Sequence, residues 1–125
     1  MKEADIARHF RNNLSGHWTM IENTVSSGVP DALLSNKGKM CWIEFKRLYG
    51  CDIILRPSQH VWIYKELRHN GRIMIAWWDN GPVAMPARAL YTMNPEKKRG
   101  KLYYDVKNSE HGIRGYINIA NYIFD

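Results

Sequence analysis

Residues 40–48, MCWIEFKRL, constrain the fold more than any other stretch of the chain. Their apolar, aromatic content reads as a β-strand. Period-two alternation then puts Cys41, Ile43 and Phe45 on one face and Glu44 and Lys46 on the other. Charged groups within such a strand are costly unless they are paired or hold a metal. Upstream, residues 29–34 read as a partner strand, with Asn36-Lys37-Gly38-Lys39 as the turn between them. If Lys37 and Gly38 form a two-residue loop, Asp31 falls directly opposite Glu44. A four-residue loop keeps that register, whereas a three-residue loop brings Asp31 opposite Ile43 unless a bulge re-aims it. The hairpin can therefore gather Asp31, Glu44 and Lys46 at one point on one sheet face.

The flanking segments predict what packs around this hairpin. Ile6, Ala7, Phe10 and Leu14 recur at helical spacing, and Ser15-Gly16 ends that helix. The run HWTMIENTV (17–25) reads as a strand, broken by Ser26-Ser27-Gly28. Pro57 opens a second helix, SQHVWIYKELRHNG, which stops at Asn70-Gly71. RIMIAWW is an apolar, central strand that turns at residues 79–82 into a short strand over 83–85, and residues 86–90 open a brief helix. Residues 94–101 are polar and basic and predict a loop or mobile arm; the tail after them has mixed periodicity and supports no assignment. The chain of 125 residues has no repeat and no boundary, so one α/β domain is expected.

Composition sets outer limits. Hydrophobic residues make up 45% and charged ones 24%, a globular balance that excludes wholesale disorder. There is no apolar run of about 18 residues, and the opening MKEADIARHFRNN is too polar for a signal peptide. A soluble, cytoplasmic protein is expected. Cys41 and Cys51 lack zinc-type spacing and read as reduced, structural thiols. The five histidines show no ligand spacing either, and Trp42, Trp62, Trp77 and Trp78 read as core or interface residues. The net charge of +6 makes a polyanionic partner inexpensive to bind.

Val29-Pro30-Asp31 followed by Glu44-Phe45-Lys46 carries a specific chemistry. Two carboxylates a few ångströms apart offer hard oxygen ligands to Mg²⁺, which keeps much of its hydration and bridges to a phosphate. A lysine beside them positions or helps deprotonate an attacking water and offsets developing negative charge.

Gly28-Val29-Pro30-Asp31, Trp42-Ile43-Glu44-Phe45-Lys46 and Arg56-Pro57-Ser58-Gln59 together resemble the PD-(D/E)XK nuclease superfamily. Within it the likeness is to small Holliday-junction resolvases and stand-alone VRR-NUC domains. The resemblance covers residues 1–90 and leaves 91–125 outside it as an extension. It implies a restriction-endonuclease-like α/β core: a mixed sheet of about five strands flanked by helices in the order α-β-β-β-α-β. It also implies that Asp31 and Glu44 bind Mg²⁺, with Mn²⁺ able to substitute. Lys46 and Gln59 complete the catalytic set, Gln59 orienting water or phosphate. Many members add a helix-1 glutamate, for which Glu3 is the candidate and Glu22 a rival.

The implied reaction is hydrolysis of DNA phosphodiester bonds in branched or junction DNA, recognised by shape, since no helix is suited to reading base edges. Arg47, Arg56, Arg68, Lys97, Lys98 and Arg99 are candidate DNA-backbone contacts. Symmetric incision of a junction implies a homodimer. A compact nuclease of this kind fits a bacterial cell, and a phage or mobile-element genome. A catalytically silent nucleic-acid-binding module of the same fold is the alternative reading. RNA as substrate is a more distant one.

Overall fold

The computed structural model describes residues 1–22 and 28–125. In chain order the elements are α1 (Glu3–Asn13), β1 (His17–Met20), β2 (Ala32–Asn36), β3 (Lys39–Phe45), β4 (Asp52–Leu55), α2 (Pro57–Arg68), β5 (Ile73–Trp78) and β6 (Pro82–Pro86). A 3₁₀ segment (Ala87–Thr92) follows, then β7 (Glu96–Lys98), β8 (Lys101–Asp105), β9 (Ile113–Arg114) and α3 (Tyr116–Phe124).

Six strands form one mixed sheet in the order β1-β2-β3-β5-β6-β9, and three form a second, antiparallel sheet in the order β4-β8-β7. The β2–β3 hairpin adopts the two-residue loop: Asn36 pairs with Lys39 and Ala32 with Ile43. Lys37 and Gly38 both take positive φ, 51° and 73°, as the right-handed twist of a tight hairpin demands. β3 then pairs parallel with β5, with β4 and α2 in the connection between them.

Strand alternation distributes the core to both faces of the large sheet. Cys41, Ile43, Phe45, Met74 and Ala76 pack with Ile6, Phe10, Ile119, Ile123 and Phe124, so α1 and α3 cover one face. Ile73, Ile75, Trp77, Val83 and Met85 pack with Ile63, Ile53, Leu55 and Tyr104, so α2 and the small sheet cover the other. Each such large side chain stabilises the fold by about 1.5–3 kcal/mol on burial. Glu44 and Lys46 belong to the second face, beneath α2. Both cysteines are free, and burial pushes the Cys41 thiol up to about 12.

Several expectations are corrected. The core order α-β-β-β-α-β is present, but β4 is inserted before α2 and pairs with β8 in the separate sheet. β2 starts at Ala32 rather than at residue 29, because Pro30 offers no N–H to a ladder. β1 ends at Met20, and residues 23–25 of the expected strand, with Ser26 and Ser27, lie outside the described residues. The basic stretch 94–101 is a hairpin, not a loose arm: Lys97 pairs with Leu102 and Lys98 with Lys101. The packed core also extends past residue 90, since Ile119, Ile123 and Phe124 are buried in it.

Candidate active site

The site forms where β3 ends, at the N-terminus of α2. The hairpin register carries Asp31 one residue past the Ala32–Ile43 pair, to the level of Glu44. There its Oδ2 accepts the Phe45 backbone N–H at 2.8 Å, a side-chain bond in place of the next ladder bond. Glu44, near the end of β3, and Lys46, just past it, are two residues apart and point to the same side, and Lys46 Nζ lies 3.4 Å from Glu44 Oε2.

Gln59 closes the arrangement from α2. Pro57 starts the helix, and the Gln59 side chain turns back so that its Oε1 accepts the Arg56 N–H at 2.9 Å. The same oxygen accepts from Lys46 Nζ at 3.0 Å, while Nε2 donates to Glu44 Oε2 at 2.9 Å. Lys46 and the Arg56 amide are donors only, so the orientation of the Gln59 amide is dictated by its partners. All three side chains are buried: Glu44 is 4%, Lys46 8% and Gln59 5% exposed.

α2 can approach this closely because of Gly28. Its φ is +93°, and a Cβ there would lie 2.2 Å from the Ser58 carbonyl oxygen, inside the helix backbone. The glycine ahead of Val29-Pro30-Asp31 thus seats the loop directly on the turn that carries Gln59.

The electrostatics are unbalanced toward negative charge. Burial, then the neighbouring Asp31 carboxylate, pushes Glu44 up to about 8, with Lys46 acting against the rise. Asp31 is raised as well, chiefly by burial and further by Glu3; the Phe45 N–H, Lys46 and Arg56 oppose the shift. Two carboxylates that each resist ionising beside a single ammonium form a site suited to a further cation.

The donor set fits a hard divalent ion. It consists of carboxylate oxygens with no thiol or imidazole, which disfavours zinc. Among the described residues no group of three His, Cys, Asp or Glu side chains surrounds one point. Mg²⁺ does not require one, since it is typically held by one or two carboxylates, with waters and phosphate completing an octahedron.

Glu3, the candidate third ligand, is exposed at the start of α1, where its Oε2 accepts the Arg47 N–H at 3.3 Å. Its charge reaches both site carboxylates. Glu22 is also exposed; it follows Ile21, whose N–H donates to the Asp31 carbonyl at 2.8 Å.

Of the candidate backbone contacts, Arg47 and Arg56 are brought to the site; both are exposed and lie between Lys46 and Gln59 in sequence. Lys97, Lys98 and Arg99 sit on the β7–β8 hairpin. Leu55 pairs with Leu102 and Lys98 with Lys101, so the hairpin tip projects at the same end of the small sheet as Arg56. Arg68 is not at the site; it lies at the far end of α2 with its guanidinium 5.8 Å from the Tyr64 ring. Two participants are invisible to sequence reasoning: the backbone amides of Phe45 and Arg56, which hold Asp31 and Gln59. Backbone groups carry no sequence signal. β4 was also missed; its sequence, DIIL, alternates in burial but not in polarity, and offers only the β-branched pair Ile53-Ile54 as a signal.

Comparison with solved structures finds the same fold in Archaeoglobus fulgidus Hjc, a Holliday junction resolvase from an archaeal hyperthermophile. The match has a TM-score of 0.65 and covers 97% of this chain and 96% of that one, at 13% sequence identity. The fold is therefore the restriction-endonuclease-like one, and with 97% of the chain covered the likeness extends well past residue 90. No protein-family model and no curated protein matches the sequence significantly.

Proposed function

We propose that this chain is a divalent-metal-dependent endonuclease that hydrolyses DNA phosphodiester bonds, selective for junction or otherwise branched DNA. The observation that carries the reading is the buried Glu44–Lys46–Gln59 cluster beside Asp31, at the end of the central strand. A buried ion pair of this kind is weak evidence of stabilisation. Its cost is understandable where substrate charge must be met.

Asp31 and Glu44 would hold Mg²⁺, or Mn²⁺ in its place, with Glu3 the third candidate ligand and Glu22 its rival. When bound, the ion supplies positive charge to the phosphate and lowers the pKa of a coordinated water. Lys46 has three N–H donors; Gln59 and Glu44 engage two, leaving one for the attacking water or a phosphate oxygen. Gln59 fixes that ammonium and has a second Nε2 proton for water or phosphate. Arg47, Arg56 and the basic hairpin border the site and supply phosphate contacts. The resolvase neighbour supports a branched substrate, and where that substrate is a four-way junction its symmetric incision calls for a homodimer. Exposed Ile117 and Tyr122 on α3 offer apolar surface for that contact. Among the described residues no helix is long and apolar enough to cross a membrane.

The test is cleavage of labelled four-way junction, flap, nicked duplex, linear duplex and single-stranded DNA with Mg²⁺, Mn²⁺ or EDTA, by wild type and Glu44→Ala. Metal-dependent cutting lost in Glu44→Ala is the expected result, with branched DNA cut fastest. Binding without cutting under every metal condition would overturn it in favour of a silent nuclease-fold binding module.

A further inference from the structure

A ridge of cations and aromatic rings runs along α2 away from the catalytic cluster. His60, Tyr64 and Arg68 follow Arg56 at intervals of four, so they share a stripe of the helix, while Gln59 and Ile63 are buried on the inner side. The 3₁₀ segment packs against this stripe. Its Tyr91 ring lies edge-on to His60 at 5.5 Å and to Tyr64 at 6.3 Å. Between them is a hollow of about 210 Å³ lined by Tyr64, Leu67, Arg68, Arg88 and Tyr91. Tyr64 is 50% and Tyr91 45% exposed, so both adjoining rings are open to solvent.

The charge of this surface selects its occupant. No carboxylate lines the hollow, and among the described residues Arg56, Arg68 and Arg88 enter no ion pair. A two-fold contact between copies of the chain through this patch would set arginine against arginine, which is repulsive. A partner that is planar and anionic suits it instead. Unpaired nucleotides offer both, because bases stack on tyrosine whatever their sequence while phosphates meet the guanidinium groups. The ridge from Arg56 to Arg68 spans roughly 18 Å at the helical rise per residue, enough for several nucleotides.

We propose that the substrate carries a single-stranded arm, which leaves the catalytic cluster along α2 with its bases stacked on Tyr64 and Tyr91 and its phosphates at Arg56, Arg68 and Arg88. This rests on the reading of the chain as a DNA endonuclease and narrows its substrate to branched DNA with an unpaired arm, such as a flap or splayed end.

The test is fluorescence anisotropy in EDTA, using the full chain with labelled single-stranded, flap and fully paired duplex DNA. Tyr64→Ala and Tyr91→Ala should each weaken single-strand and flap binding by roughly tenfold, on the scale of base–aromatic stacking. Duplex affinity should stay unchanged, and Tyr64→Phe and Tyr91→Phe should bind like wild type. Unchanged single-strand affinity in the alanine variants would overturn the proposal, as would equal losses on duplex and single strand. Conversion of a dimer to a monomer in sedimentation, with DNA binding intact, would overturn it by assigning the patch to subunit contact. Because binding is read without metal, the two readings fail separately. Tyrosine-dependent single-strand binding by a protein that never cuts would sink the nuclease and leave the arm site standing.

Discussion

Gln59 Nε2 donates to Glu44 Oε2 at 2.9 Å, tying the first turn of α2 to the central strand. Through its carbonyl oxygen Gln59 also holds Lys46, so one neutral side chain positions both Glu44, near the end of β3, and Lys46, just beyond it. Buried polar groups of this kind depend on every partner being present, since removal of one leaves an unsatisfied atom costing about 1–3 kcal/mol.

Gln59→Ala should therefore lower the single-turnover cleavage rate by roughly 10–100-fold, the usual effect of losing an outer partner of a metal site. The Mg²⁺ concentration for half-maximal rate should rise with it, because Glu44 loses its fixed orientation. Unaltered rate and Mg²⁺ dependence would show that Lys46 and Glu44 hold their places without the amide.

The metal-free protein should become less stable as pH rises. Glu44 is pushed up to about 8 from an ordinary value of 4.5. Between those values the folded state keeps a proton that the unfolded chain has released, so raising pH favours unfolding. Thermal unfolding in EDTA should show Tm falling across this window and levelling above pH 8, with Glu44→Gln removing that component. Added Mg²⁺ should raise Tm more at pH 8 than at pH 5, because at low pH it must displace the proton. A Tm difference between wild type and Glu44→Gln that stays constant with pH would contradict this.

Gly28→Ala should destabilise the fold by more than about 1 kcal/mol, because φ is positive there and the new Cβ meets backbone rather than a flexible side chain. Since the obstructed carbonyl belongs to Ser58, beside Gln59, cleavage should fall further than the stability loss explains. Urea unfolding and cleavage rate measured on the same preparation separate the two effects. Wild-type values in both would mean that the loop and α2 yield without cost.

The basic hairpin is tested by salt. Lys97→Ala with Arg99→Ala should flatten the dependence of log affinity on log salt by about 0.9 for each phosphate that is no longer neutralised. Measuring binding over a salt series decides it, and an unchanged slope would remove the hairpin from the DNA-contacting surface.

Local pattern by itself determined the hairpin. Alternation along residues 40–46 assigns Glu44 and Lys46 to one face, and the Lys37-Gly38 turn sets the register that brings Asp31 to their level. These relations span few residues and follow from strand period and turn geometry alone. The two main helices were legible for the same reason, through apolar spacing and the Pro57 start.

Tertiary structure decided the rest. Lys46 and Gln59 lie 13 residues apart in sequence, and they meet only because β3 pairs parallel with β5 and α2 packs over the sheet between them. Asp31 and Gln59 are held by backbone amides whose availability depends on where strand and helix end. β4 finds its partner in β8, and α3 returns to cover the same face of the large sheet as α1, through packing between the two ends of the chain. Nothing in a local window encodes such meetings, because they are settled by which apolar faces remain to be buried once the hairpin and helices exist.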